Sequence, residues 1–197
     1  MSAPGGDTAV LHDPEIRELL FDYLDARFYK VRTFEEKNIR SSRADILAVL
    51  DGELLGFEIK SDCDSYARLG GQVKNYDKYC DRNYAVVGAR HRQVEKHIPA
   101  YWGVLVVQCE AGKFGLIERR AAAPNPKVRL KNQLGFLWRT EMHHILDRCG
   151  LPKYRKQSRN FILQRLLDKV PPERLRREMT EELFERDYSV FEFDVRD

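Results

Sequence analysis

The sequence predicts an α/β fold in which a mixed sheet is flanked by helices and followed by a C-terminal helical extension. Three observations predict this class. Asp13-Pro14-Glu15 is typical of a helix start with Asp13 as its cap, and apolar residues follow it at helical spacing. Between residues 29 and 117, short apolar runs rich in β-branched and aromatic residues surround one amphipathic stretch. After residue 126, the pattern is mostly helical.

The strands of the predicted sheet are short. The first is predicted over residues 29–39, and the next two over 46–50 and 54–59. Asp51-Gly52 separates the latter two, and Asp-Gly between apolar runs is a strong signal for a tight hairpin. A helix is predicted over residues 64–80, although Gly70-Gly71 weakens it. Further strands are predicted over 84–87, 102–107 and 114–117.

The C-terminal part of the chain predicts helices over residues 133–149, 158–170 and 172–186. Phe191, Phe193 and Val195 alternate with polar residues and predict a terminal strand. We therefore divide the chain into a disordered tail over residues 1–12, a core over 13–120, and a basic helical extension over 121–197 packed on the core.

Charge is distributed unevenly along the chain. The whole chain has 34 basic and 31 acidic residues, but residues 113–165 contain thirteen basic residues and three acidic ones. Such an excess is a plausible footprint for a polyanion, and the alternative is a solvated basic surface. The four cysteines are spaced like reduced thiols, and no apolar run approaches 18 residues. We therefore expect a cytoplasmic protein with no membrane partner.

Two acidic residues interrupt the apolar strands of the predicted hairpin. A two-residue turn pairs Leu50 with Glu53, and continuing this register places Asp45 directly opposite Glu58. Their Cβ atoms would then be roughly 5 Å apart. Lys60 points to the same face as Glu58, and Arg43 would be its cross-strand neighbour.

Two carboxylates in largely buried strands need a counter-cation or shifted pKa values. A hard divalent ion with oxygen ligands satisfies that need. Lys60 can orient a water molecule or stabilise developing negative charge, and the set of residues suits hydrolysis of a phosphodiester. The alternative is a simple ion pair of Glu58 with Lys60 or Arg43 at a strand end.

Asp45 followed by Glu58-Ile59-Lys60 on a hairpin resembles the motif of the PD-(D/E)XK nuclease superfamily, which includes restriction endonucleases, Holliday junction resolvases and repair exonucleases. Ala44 stands where the motif's name has proline. The resemblance implies a restriction-endonuclease-like core of helix, three strands, helix and strand. It also implies that Asp45, Glu58 and the Ile59 carbonyl hold Mg²⁺ or Mn²⁺, with Lys60 activating water. Many members dimerise, so a homodimer is possible.

Gln72 and Tyr76 lie four residues apart and share a helical face with Arg68. Gln-x-x-x-Tyr resembles an extra motif of the resolvase and exonuclease branches, where it lines the active site and helps to place DNA. The resemblance thus implies a nucleic-acid-binding set of Arg43, Arg68, Gln72 and Tyr76. The alternative is a surface glutamine and a core tyrosine. More closely, residues 13–145 resemble an uncharacterised bacterial family of the superfamily.

Glu36 is a candidate third catalytic acid on the first predicted strand. Members of the superfamily often supply another acid from the first helix or its surroundings, so Glu15 and Glu18 are rivals. Glu35 would point away if the strand is regular.

The sequence therefore predicts a Mg²⁺- or Mn²⁺-dependent deoxyribonuclease acting on single- or double-stranded DNA. Two other classes remain open. One is a nucleic-acid-binding module on the same fold that is inactive alone. The other is a regulatory protein from a mobile element or defence system, whose helical extension docks another protein.

Overall fold

The computed structural model of the chain describes residues 10–91 and 93–187, and it centres on one sheet of six strands. The strands lie side by side in chain order, and their bounds are β1 Arg32–Ile39, β2 Ser42–Leu50, β3 Glu53–Lys60, β4 Arg82–Val87, β5 Gly103–Glu110 and β6 Lys113–Arg120. The pairs β3–β4 and β4–β5 are parallel, and the other three are antiparallel. The predicted mixed sheet is confirmed.

Helices cover both faces of the sheet. Their bounds are α1 Asp13–Arg27, α2 Leu69–Tyr76, α3 Leu130–Gln133, α4 Arg139–Arg148, α5 Arg159–Lys169 and α6 Pro172–Glu185. Helix α1 packs on one face, and α2 packs with the C-terminal helices on the other. The predicted α/β class is confirmed, as is the order of helix, three strands, helix and strand. No helix in the described part of the chain is long and apolar enough to cross a membrane.

The β2–β3 hairpin has the predicted register. Pairing begins with Leu50 opposite Glu53 and continues to Ile46 opposite Phe57. Gly52 adopts a φ of 70° in the turn, which glycine accepts without steric cost. Both strands are buried on both faces because helices cover each side, so their apolar runs are nearly continuous.

Three predicted helices differ in the structure. The cap of α1 is His12, whose N–H is accepted by Glu15 at 3.0 Å, whereas Asp13 lies inside the helix. The second helix begins only at Leu69, because Asp64 accepts the Ser61 N–H and hydroxyl and holds a turn instead. The helix predicted over residues 133–149 is interrupted, since Glu141 accepts the Trp138 N–H at 2.6 Å and starts α4 afresh.

The C-terminal helices share one hydrophobic core with the sheet. Leu175 and Met179 of α6 belong to the same buried cluster as Val49 and Leu54. Thr180 Oγ1 accepts the N–H of Gly52 at 2.9 Å, which ties α6 to the hairpin turn. The division at residue 120 stays a prediction. Most of the predicted tail (residues 1–9) and the predicted strand over 191–195 lie outside the described residues.

Many arginines of the extension serve the fold. Arg148 pairs with Glu178 and Glu182, and Arg176 pairs with Asp81 at 2.6 Å. Arg159 donates to main-chain carbonyls just before α4. The buried Arg186 donates to both carboxylate oxygens of Glu141. The polyanion footprint over residues 113–165 stays a prediction, although Arg148 and Arg159 of this stretch are engaged within the fold.

Gly56 of β3 allows α2 to approach the sheet closely, and this contact supplies a stability test. A Cβ there would lie 2.6 Å from Tyr76 Cδ1 and 2.7 Å from Cys80 Sγ. We expect Gly56→Ala to lower the free energy of unfolding by about 1–3 kcal/mol, because overpacking forces buried side chains to move. Urea unfolding followed by circular dichroism measures the change.

Gly70→Ala in α2 is the matched control. Nothing lies within 4 Å of a Cβ at Gly70, so this variant should gain up to about 1 kcal/mol from helix propensity. Equal stability of the two variants would contradict the packing described for α2.

Candidate active site

Asp45 and Glu58 lie where the pairing of β2 with β3 ends. The last paired residues are Ile46 and Phe57, and the two acids are the next residue on each strand. Beyond that point the Ile59 N–H donates to Asp45 Oδ2 at 2.7 Å. Repulsion from Glu58 is one of the causes that raise the pKa of Asp45, as expected for two acids at neighbouring positions of a hairpin. The register of β2 and β3 therefore makes the two acids neighbours across the hairpin.

Tyr76 holds the two strands at this point. Its hydroxyl accepts the Asp45 N–H and donates to the Phe57 carbonyl, each at 2.9 Å. The side chain is completely buried between α2 and the sheet. A direct contact of Tyr76 with nucleic acid, as the sequence resemblance implied, is wrong for this structure because the ring has no exposed surface. Tyr76 instead positions Asp45, and the core-tyrosine alternative describes its environment.

Glu58 and Lys60 form a buried ion pair. Glu58 is 0% exposed and Lys60 is 5% exposed, and Lys60 Nζ lies 2.5 Å from Glu58 Oε1. This is the ion pair that the sequence left open as an alternative, with Lys60 rather than Arg43 as the partner. Glu58 Oε2 is buried and has no hydrogen-bond partner among the described residues. Within the described part of the chain, this carboxylate oxygen of Glu58 therefore accepts no hydrogen bond.

The electrostatics of the two acids reflect this shortage of positive charge. Burial, followed by repulsion from Glu58, raises the pKa of Asp45 to about 7. Burial also raises the pKa of Glu58, although the ammonium of Lys60 opposes the shift. A further cation beside Asp45 and Glu58 would stabilise the ionised form of both side chains.

A cleft of about 1000 Å³ opens over Asp45, between α2 and the β1–β2 hairpin. Five residues of the predicted site line it, namely Glu36, Arg43, Asp45, Arg68 and Gln72. Arg40, Lys74 and Lys78 also line it and were not predicted as site residues. The cleft wall thus carries five basic side chains and two acidic ones, which favours an anionic ligand. Glu58 and Lys60 do not line the cleft.

Helix α2 supplies one wall of this cleft. Arg68 precedes its first residue, and Gln72 lies one turn later, as the predicted shared face requires. Gln72 Oε1 is a buried acceptor with no hydrogen-bond partner among the described residues. The amide of Gln72 therefore has unused hydrogen-bonding capacity next to the cleft.

Glu36 faces Asp45 from the neighbouring strand. In the β1–β2 ladder Glu35 pairs with Ile46 and Lys37 pairs with Ala44, so Glu36 falls between these pairs. Its backbone has a φ of 49°, a conformation that residues other than glycine rarely adopt. The register does not shift at this position, and only Glu36 lines the cleft with Asp45, although Glu35 and Glu36 both accept from Arg17.

Arg17 of α1 is a site residue that the sequence interpretation missed. It donates to the Asp45 carbonyl oxygen at 3.1 Å and to the carboxylates of Asp13, Glu35 and Glu36. Asp13 is therefore the acid of α1 that lies near Asp45, rather than Glu15 or Glu18. The helical spacing of Asp13 and Arg17 was the available signal, because residues four apart share one face.

The donor set fits a hard divalent ion incompletely. Asp45 and Glu58 provide two carboxylates, and the prediction adds the Ile59 carbonyl; oxygen ligands of this kind suit Mg²⁺ or Mn²⁺. The partnerless oxygen of Glu58 supports the fit. Within residues 10–91 and 93–187, however, no three His, Cys, Asp or Glu side chains are grouped to hold a metal. A third ligand would have to move into place.

Two solved structures resemble the chain loosely. A protein of unknown function from Silicibacter pomeroyi has a TM-score of 0.47 and 22% identity, and the match covers 62% of this chain and 80% of that one. SfsA of Pyrococcus furiosus, solved in complex with Ca²⁺, has a TM-score of 0.32 and 16% identity, with 58% and 60% covered.

A phage protein shows clearer similarity in sequence. Protein cII of Enterobacteria phage P4 is 32% identical over 114 residues, which are 56% of this chain and 42% of that protein. The chain thus spans about two fifths of the length of this relative. The pattern of the family described as bacteriophage P4 protein cII matches residues 8–192, which is nearly the whole chain. The chain belongs to the bacteriophage P4 protein cII family.

Proposed function

We propose that this chain is a metal-dependent nuclease of the PD-(D/E)XK type that hydrolyses phosphodiester bonds of DNA. The observation that carries the proposal is the carboxylate pair of Asp45 and Glu58 beside a basic cleft. Glu58 Oε2 is buried there and accepts no hydrogen bond from the residues that the structure describes, and the pKa of Asp45 is raised to about 7 by burial and by Glu58. A site with this deficit of positive charge suits a divalent cation.

Each residue of the site has a role in this proposal. Asp45, Glu58 and the Ile59 carbonyl hold Mg²⁺ or Mn²⁺, which supplies charge neutralisation and polarises the phosphate when bound. Lys60, 2.5 Å from Glu58, places an ammonium where negative charge develops on the phosphate. Tyr76 keeps Asp45 in position through the main chain.

The basic cleft supplies the contacts to the DNA backbone. Arg40, Arg43, Arg68, Lys74 and Lys78 line the cleft together with Asp45, so phosphates bound by these side chains would lie near the carboxylates. Contacts between such cations and phosphates give affinity that depends on salt and little on sequence. We favour the cleft over the extension as the DNA surface, because its cations lie beside Asp45, whereas Arg148 and Arg176 of the extension pair with acids inside the fold.

A second candidate function is nucleic-acid binding without catalysis, in a module that is inactive alone or needs a partner protein. The Glu58–Lys60 ion pair favours this candidate, because Lys60 balances the negative charge of Glu58 without a metal ion. The similarity to a phage protein is compatible with an origin in a mobile element. Calorimetry separates the candidates: DNA binding with no uptake of Mg²⁺ or Mn²⁺ would support the module.

The nuclease proposal predicts cleavage of DNA that requires Mg²⁺ or Mn²⁺ and is lost in EDTA. Lys60→Ala should lower the rate by about 10²–10³-fold, which is typical for loss of one group that stabilises developing charge. Cleavage of single- and double-stranded substrates on denaturing gels measures it. Lys131→Ala, on the exposed surface of α3, is the control and should retain the rate. Full activity of Lys60→Ala would remove the proposed mechanism.

The raised pKa of Asp45 predicts how stability depends on pH without metal. The folded protein holds the Asp45 proton up to about pH 7, whereas an ordinary aspartate has a pKa of 3.8. The folded state therefore binds more protons between these values, and this contribution to stability is lost as pH rises through 7. Asp45→Asn keeps the acceptor for Ile59 but cannot ionise, so its Tm relative to wild type should rise between pH 5 and pH 8.

The measurement is thermal unfolding in EDTA at both pH values. Each kcal/mol of differential stability should appear as about 2–4 °C for a chain of this size. Adding Mn²⁺ at pH 8 should raise the Tm of wild type more than that of Asp45→Asn, because a bound cation stabilises the ionised carboxylates. A constant Tm difference across the pH range would contradict the environment assigned to Asp45.

A further inference from the structure

Three acidic residues lie in one row across three neighbouring strands. Glu36 of β1 falls opposite Asp45 of β2 in the β1–β2 register, and Asp45 is followed by Glu58 of β3 in the β2–β3 register. Adjacent strands are about 4.8 Å apart, so each acid is one strand spacing from the next. Glu36 and Asp45 also line the same cleft. The geometry places Glu36 within reach of any cation that Asp45 holds.

The carboxylate of Glu36 is occupied in this structure by two arginines. Its Oε2 lies 3.2 Å from Arg43 Nε, and its Oε1 lies 3.3 Å from Arg17 Nη2. Glu36 consequently does not join Asp45 and Glu58 as a ligand in this conformation, which agrees with the absence of a three-ligand group among the described residues. The left-handed φ of 49° at Glu36 holds the residue out of the regular ladder, where its direction is set by these contacts.

The two arginines differ in how firmly they hold Glu36. Arg43 is 66% exposed, so its ion pair with Glu36 is weak and screened by salt. Arg17 is 13% exposed and also donates to Asp13, Glu35 and the Asp45 carbonyl, so it loses little if Glu36 leaves. A phosphate entering the cleft would compete with Glu36 for the exposed guanidinium of Arg43.

We propose that Glu36 is a third carboxylate ligand for the divalent ion, held back by Arg43 in the free protein and released when a backbone phosphate of bound DNA takes over Arg43. This inference rests on the proposed function, because it needs the ion at Asp45 and Glu58. Bound DNA then raises the affinity for the ion, and by linkage the ion raises the affinity for DNA by the same factor. The ion site is completed only when substrate is present.

The experiment is calorimetric titration of Ca²⁺ into the protein alone and into the protein saturated with a short DNA duplex. Ca²⁺ takes the same oxygen ligands with less demanding geometry, so it reports on the donor set apart from catalysis. Gel analysis of the recovered duplex checks that it stays intact. For wild type the duplex should raise the Ca²⁺ affinity by at least about fivefold, the lower range of measured coupling between sites.

Glu36→Gln and Glu35→Gln form the matched pair of variants. Both remove one negative charge from neighbouring residues that contact Arg17, but only Glu36 lines the cleft with Asp45. The duplex should no longer raise the Ca²⁺ affinity of Glu36→Gln, whereas Glu35→Gln should retain the rise. Arg43→Gln should bind Ca²⁺ more tightly than wild type without DNA, because Glu36 is already released. Circular dichroism confirms that each variant is folded.

The outcomes separate this inference from the proposed function. If the wild-type protein binds no divalent ion with or without the duplex, the proposed function and the inference about Glu36 are both overturned. If wild type binds the ion and cleaves DNA, but Glu36→Gln shows the same rise in affinity as wild type, only the inference about Glu36 is overturned. An equal loss in Glu36→Gln and Glu35→Gln would also overturn it, because a general effect of charge would then explain the rise.

Discussion

The burial of two carboxylates on adjacent strands is the constraint on which the rest of this structure depends. Asp45 and Glu58 occupy positions that a sheet of this kind would fill with apolar side chains, and the surroundings compensate only in part. Lys60 neutralises one oxygen of Glu58, the Ile59 N–H binds Asp45, and Glu58 Oε2 has no partner among the described residues. Such an arrangement is costly unless a cation or a protonation event completes it.

Several elements of the fold hold this pair in place. Gly56 lets α2 approach the sheet, and Tyr76 can then bridge the main chains of β2 and β3 through its hydroxyl. From the other face of the sheet, Arg17 of α1 donates to the carbonyl oxygen of Asp45 and to the carboxylates of Glu35 and Glu36. Helix α6 anchors the far end of the hairpin at Gly52. The site is thus supported from both faces of the sheet, which suits a set of groups that must keep fixed positions.

The hairpin and its acids could be predicted from the sequence because their signals are local. Asp51-Gly52 sets the turn, the turn sets the register, and the register makes neighbours of residues 13 apart in the chain. The left-handed backbone of Glu36 and its ion pairs with Arg17 and Arg43 could not be predicted this way, because no local sequence pattern links these residues. The burial of Tyr76 and the internal pairing of Arg148 and Arg176 likewise arise from tertiary packing, which periodicity does not report.

The most direct test of the account is a crystal structure of the protein soaked with Mn²⁺, with anomalous scattering used to locate the ion. We expect an anomalous peak within bonding distance of Asp45 and Glu58, with Glu58 Oε2 among the ligands of the ion. An unchanged Glu58–Lys60 pair with no peak at these carboxylates, at Mn²⁺ concentrations that saturate other oxygen sites, would contradict it.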